Sequence, residues 1–199
     1  MCKKMRTFAG DYIFIYIINV TAPEYRQLNA FARIDGAMLS VLMIAGFACY
    51  VVGLTSPLYG FLSLLTLIVM PFFVGTRLKH FRDNGLEGSI SFLRGWFYVS
   101  KMFLYGGLLF ALAVYAYLAY MDQGYLVMTI GRVMSAPEIV EALNQKGLTD
   151  WANESLHVLQ SLRPIDFALN MLATVMLSGF ILGLPIAAIM RKGTTKIVN

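Results

Sequence analysis

The run from Trp96 to Tyr120, WFYVSKMFLYGGLLFALAVYAYLAY, holds one charge, Lys101, and restricts the possible folds more than any other stretch. The 19 uncharged residues from Met102 to Tyr120 would make about 28 Å of helix at about 1.5 Å per residue, against a hydrocarbon core of about 30 Å. Trp96, Phe97 and Tyr98 stand at one end and Tyr115, Tyr117 and Tyr120 at the other, the spacing expected where a span meets its two interfaces. The composition agrees with a membrane-embedded chain. It is 58% hydrophobic and 14% charged, with a mean hydropathy of +0.67, whereas soluble domains run near 45–50% apolar and about 25% charged.

The net charge of +5 invites a nucleic-acid reading, but the basic residues flank apolar runs, where they act as a topology signal. Nucleic acid is therefore not expected as a partner; the lipid bilayer is. Cys2 and Cys49 are too few and too differently placed for a disulfide framework or a metal knuckle. A leader peptide is rejected. The apolar core Tyr12–Val20 is short, Asp11 adjoins it, and Pro23 would follow the cut at Val20-Thr21-Ala22.

In chain order, residues 1–35 form a basic N-terminal segment, its first 20 an interfacial stretch too short to span. Thr21-Ala-Pro-Glu24 is helix-start chemistry, with a capping hydroxyl, proline at the first helical position and an acid after it. It predicts an amphipathic surface helix from about residue 22, with Tyr25, Leu28, Phe31 and Ala32 on its apolar side. Residues 36–190 form the transmembrane domain, with spans at 36–54, 57–75, 96–120 and 167–190. Thr55-Ser56-Pro57 makes the first two an antiparallel hairpin. Residues 76–95 are expected to be a polar loop in which Asn84-Gly85 turns and Ser89 caps the third helix. Between the third and fourth spans, residues 121–165 predict a helical hairpin outside the bilayer, with starts at Ser135-Ala-Pro-Glu138 and Thr149 or Asp150. Leu148, Ala152, Leu156, Leu159 and Leu162, with Trp151, form an apolar stripe that should dock on the outer ends of the third and fourth spans. Residues 191–199 are a basic tail. The fold class is an all-α integral membrane protein of four transmembrane helices carrying that extracytoplasmic hairpin.

Five polar side chains and two glycines stand out. Lys101 is expected to pair with Asp35 near the inner interface, framed by Tyr98 and Tyr105, or to snorkel. Asp166 and Asn170, with Arg163, are expected to make a local ion pair at a helix start. Gly179 and Gly183 fit the small-xxx-small pattern of close helix approach, within one chain or between two copies. There is no HExxH, G-x-S-x-G or Walker loop, and no paired carboxylates share a span. We therefore expect no enzymatic activity, no cofactor and no metal, and an accessory or assembly subunit acting through protein contacts. Its partner would be another membrane or periplasmic protein, or a second copy, met through residues 121–165 or Gly179/Gly183. The alternative is a small transporter or channel subunit using Lys101 and nearby tyrosines.

The loop RLKHFRDNGLEGSISFLRGWFYVS leading into the third span, the YAYLAYMD end of that span and the final IAAIMRKG resemble a bacterial membrane family known as domain of unknown function 4199. The resemblance spans Asn29 to Lys192 and lies chiefly in Asn84-Gly85 to Ser91-Phe92. It implies four spans in a bacterial inner membrane and carries over no catalytic residues.

With a cytoplasmic N-terminus, 13 of the 16 lysines and arginines fall inside and only Arg132, Lys146 and Arg163 outside, so both termini should be cytoplasmic. A reporter fused after Asn199 is expected to read cytoplasmic and one inserted at Lys146-Gly147 external; the same side for both would refute four spans.

Overall fold

A computed structural model describes residues 22–192. The N-terminal stretch 1–20, the Thr21 cap and the tail beyond Lys192 lie outside the described residues. Among the described residues seven helices follow in order: α1 (Ala22–Gly53), α2 (Pro57–Gly85), α3 (Phe92–Tyr120), α4 (Tyr125–Met134), α5 (Pro137–Gln145), α6 (Thr149–Ser161) and α7 (Pro164–Met190). The fold is all-α, and α1, α2, α3 and α7 are each long and apolar enough to cross a membrane.

The long helices extend beyond the apolar runs that announce them. The expected surface helix and first span are one continuous α1, because Leu28, Ala32, Asp35 and Leu39 form a single buried stripe at helical spacing. Residues 76–85, expected as loop, continue α2. Their charges sit on a helix whose Val74, Leu78 and Phe81 remain fully buried. The third helix begins at Phe92, with the Ser91 hydroxyl, not Ser89, accepting the Arg94 N–H at 3.4 Å.

Between α3 and α7 the chain makes three helices where two were expected. The additional one is α4, and α4, α5 and α6 pack against one another. Neither expected cap is used. Ser135 donates back to the Gly131 carbonyl of α4 at 2.8 Å, and Thr149 donates to the Asn144 side chain at 2.6 Å. Gly147 does end the α5 turn, in the left-handed region at φ 65°.

Among the described residues the contacts separate into two compact units: residues 22–39, 71–106 and 176–192 in the first, 40–70 and 107–175 in the second. In the first unit, α1 and α3 meet backbone to backbone, since a β-carbon on Gly36 would lie 2.8 Å from the Met102 carbonyl oxygen. Tyr105, half-buried, flanks that contact, its own Cβ 2.9 Å from the same point. The carbonyls of α7 end on protein: Arg82 donates to Met190 O at 3.2 Å, and Ile90 and Lys192 exchange backbone bonds at 3.0 and 3.1 Å.

In the second unit, Phe47 meets Phe110 and Tyr117 edge-on at 6.0 and 5.8 Å. Of the α6 stripe, Ala152 is buried and Leu156 lies against Gly131 of α4, while Leu159 and Leu162 join Leu118 and Phe167 around an open cleft of about 520 Å³. The stripe thus rests largely on the helix that the sequence reading missed. Leu148 and Trp151 stay exposed.

The α1–α2 turn needs glycine at one position and tolerates more at the other. A β-carbon on Gly53 would lie 2.5 Å from the Gly60 amide nitrogen, whereas one on Gly60 would sit 3.5 Å from Gly53 O. Gly53→Ala should therefore lower the thermal midpoint in detergent, by about 1–3 kcal/mol of overpacking. Gly60→Ala should be neutral or slightly stabilising, because alanine is the better helix former by about 1 kcal/mol.

Candidate functional site: a buried charge cluster

Asp35 lies on the apolar stripe of α1, 1% exposed. A lone carboxylate there would carry a desolvation penalty of several kcal/mol, so its partners decide whether the first unit can fold. Arg77 of α2 donates through Nε to Asp35 Oδ1 at 2.7 Å and through Nη2 to the same oxygen. Tyr98 of α3, fully buried, donates its hydroxyl to Oδ2. Each element supplies its residue for a simple reason. Arg77 reaches inward because α2 remains helical past Gly75, and Tyr98 is aimed by Phe81, whose ring stacks on it at 4.4 Å and 4°. Phe31 closes the far side of Phe81 at 5.4 Å. Three helices are thus tied at one carboxylate, and the Arg77 side chain, 24% exposed, gives the cluster its edge.

The expected Lys101–Asp35 pair does not form. Arg77 presents a planar fork that a lysine lacks, and Lys101 instead holds its ammonium over the rings of Tyr25 and Phe97, at 5.8 and 5.4 Å from their centroids. That cation–π contact replaces the ion pair. All three aromatics expected at that interface make contacts within the chain, Phe97 with Lys101 and Tyr25. Tyr98 is in the cluster, and Trp96 lies on α7, donating Nε1 to Phe180 O at 3.1 Å.

Gly179 and Gly183 make room for α3 of the same chain. A β-carbon on Gly179 would overlap the Phe103 side chain, and one on Gly183 would lie 2.9 Å from Trp96 Cδ1. In the second unit, Asp166 pairs with Arg163 at 2.7 and 3.0 Å and Asn170 donates to Asp166 O at 3.0 Å. This is an exposed local helix start, as expected. Among the described residues no three His, Cys, Asp or Glu side chains come together as a metal centre would need.

Sequence reasoning missed Arg77 by assigning it to a loop. The signal was present: Val74, Leu78 and Phe81 continue the helical period through the charged stretch, and Asp35 breaks an otherwise apolar stripe.

Four membrane-length helices, three of them tied at a buried carboxylate, define a multi-pass α-helical membrane protein. The chain belongs to the family described as "Protein of unknown function (DUF4199)", which matches residues 34–192 and so contains Asp35, Arg77 and Tyr98. No curated protein and no solved structure matches it.

Removing one partner leaves the other charge buried. Arg77→Met is expected to cost about 3–5 kcal/mol, Tyr98→Phe about 1–3 kcal/mol, and Lys101→Met less than either, read as unfolding in mild detergent. Asp35→Leu combined with Arg77→Met should recover most of the loss, and a double mutant as unstable as the sum of its singles would refute the pairing.

Proposed function

We propose that the chain is a non-enzymatic subunit of a larger assembly in a bacterial inner membrane, with both termini cytoplasmic, and that it meets its partner through the α5–α6 hairpin. The observation that carries this reading is Trp151, 65% exposed on α6. The same hairpin carries Glu138, Glu141, Asp150 and Glu154, all exposed, against Lys146 alone. No residue of α5 is buried. An exposed indole within an acidic field fits a protein that offers an apolar pocket rimmed by lysine or arginine, since tryptophan is a favoured anchor and the charges steer the encounter. The acidic field disfavours anionic headgroups as the occupant of this face.

The interior supports the same reading over transport. The carboxylate in α1 is already neutralised by Arg77 and hydrogen-bonded by Tyr98. Span hydroxyls Thr66, Ser100 and Thr174 donate to carbonyls of their own helices at 2.9–3.0 Å. A transport path would need such groups turned toward a ligand.

A photo-crosslinking amino acid at position 151, introduced in cells, should give an adduct with one other protein. The adduct should disappear when Glu141→Lys and Glu154→Lys are added. An adduct unaffected by the charge reversal, or one formed only with further copies of the same chain, would overturn the proposal.

A further inference from the structure

α4 begins only four residues after α3 ends, and the link is fixed. Met121 N–H donates to Tyr117 O at 2.8 Å, Gln123 and Gly124 turn in the left-handed region at φ 47° and 85°, and the Asp122 carboxylate accepts the Leu126 N–H at 3.1 Å. Four residues reach at most about 14 Å when fully extended, and a closed turn reaches less. The headgroup layer outside the hydrocarbon core is itself about 5–8 Å thick on each side. The helix therefore starts within or just beside that layer.

The two faces of α4 have different surroundings. Leu126 and Thr129 are buried against the protein, whereas Tyr125, Met128 and Arg132 recur at i, i+3 and i+7 on a neighbouring face and are exposed, Met128 at 63% where it edges the cleft that Leu126, Leu159 and Leu162 also line. Tyr120 and Met121, still more exposed, carry this surface back to α3. An apolar body with a phenol and a guanidinium at its edge matches the bilayer interface, where the phenol sits among headgroups and arginine meets phosphate.

We propose that α4 is an interfacial helix that lays its Tyr125–Met128–Arg132 face on the phospholipid surface, with Arg132 on lipid phosphate. This surface is distinct from the acidic hairpin, whose charge is of the opposite sign.

The test uses the full chain in nanodiscs of mixed zwitterionic and anionic phospholipid, with Cys2→Ser and Cys49→Ala and single nitroxide-labelled cysteines at 128 or 141. The label at Met128→Cys should collide several-fold more with oxygen than with a water-soluble nickel chelate, and that at Glu141→Cys should show the reverse. Adding Arg132→Glu should raise nickel access at 128. Equal nickel access at 128 and 141 would overturn the proposal, as would a label at 128 shielded from both reagents, which would mean that protein, a second copy or a partner, covers the face.

Discussion

Burying Asp35 sets a condition that the rest of the first unit has to meet. A carboxylate removed from water is tolerable only with charge and hydrogen-bond compensation, and one cation is not sufficient while lone pairs stay unpaired. Arg77 supplies the charge and Tyr98 the additional donor. That requirement propagates: α2 must continue as helix through Arg77 to Phe81, and α3 must start early enough to place Tyr98 under the Phe81 ring. The geometry around one side chain thus sets where two other helices can run.

Such a cluster gives specificity of arrangement more readily than net stability. In lipid, apolar side chains gain little by leaving one apolar medium for another, so helix association depends on close packing and on polar bonds. Both are present here. Gly36 and Gly106 bring the α1 and α3 backbones together, and Gly179 and Gly183 receive Phe103 and Trp96. These contacts would be satisfied by several rotations of a smooth helix. The carboxylate, arginine and phenol admit far fewer, because the fork of Arg77 and the hydroxyl of Tyr98 approach different oxygens of one group.

The four spans were legible because an uninterrupted apolar run of membrane length has few alternatives. Helix ends were less so. Charged residues at 77–83 interrupt hydropathy without interrupting helical periodicity, and a reading by charge content turns Arg77 into loop while one by period keeps it in α2. Pairing was harder still. Lys101 and Asp35 are the conspicuous intramembrane charges in sequence, yet which cation reaches a carboxylate depends on helix rotation, which no hydropathy plot contains. α4 escaped notice because YLVMTIGRVM is short and lacks the Ser-Ala-Pro-Glu start chemistry of the helix after it, so residues 125–134 carried no start signal within the 121–165 segment.

Charge divides the segment between α3 and α7 into regions suited to different surroundings. On α4 the exposed face carries Arg132 with Tyr125 and Met128, while α5 and α6 together expose four acids and Trp151. An anionic lipid surface attracts the first and repels the second, so the hairpin is favoured away from headgroups while α4 remains beside them. The short Met121–Gly124 link makes that arrangement mechanically consistent, since it holds α4 near the end of α3. Reversing the charges of the two faces would exchange which of them an anionic surface attracts, so the order of charge along this segment keeps the proposed protein contact at Trp151 and the proposed lipid contact of α4 apart.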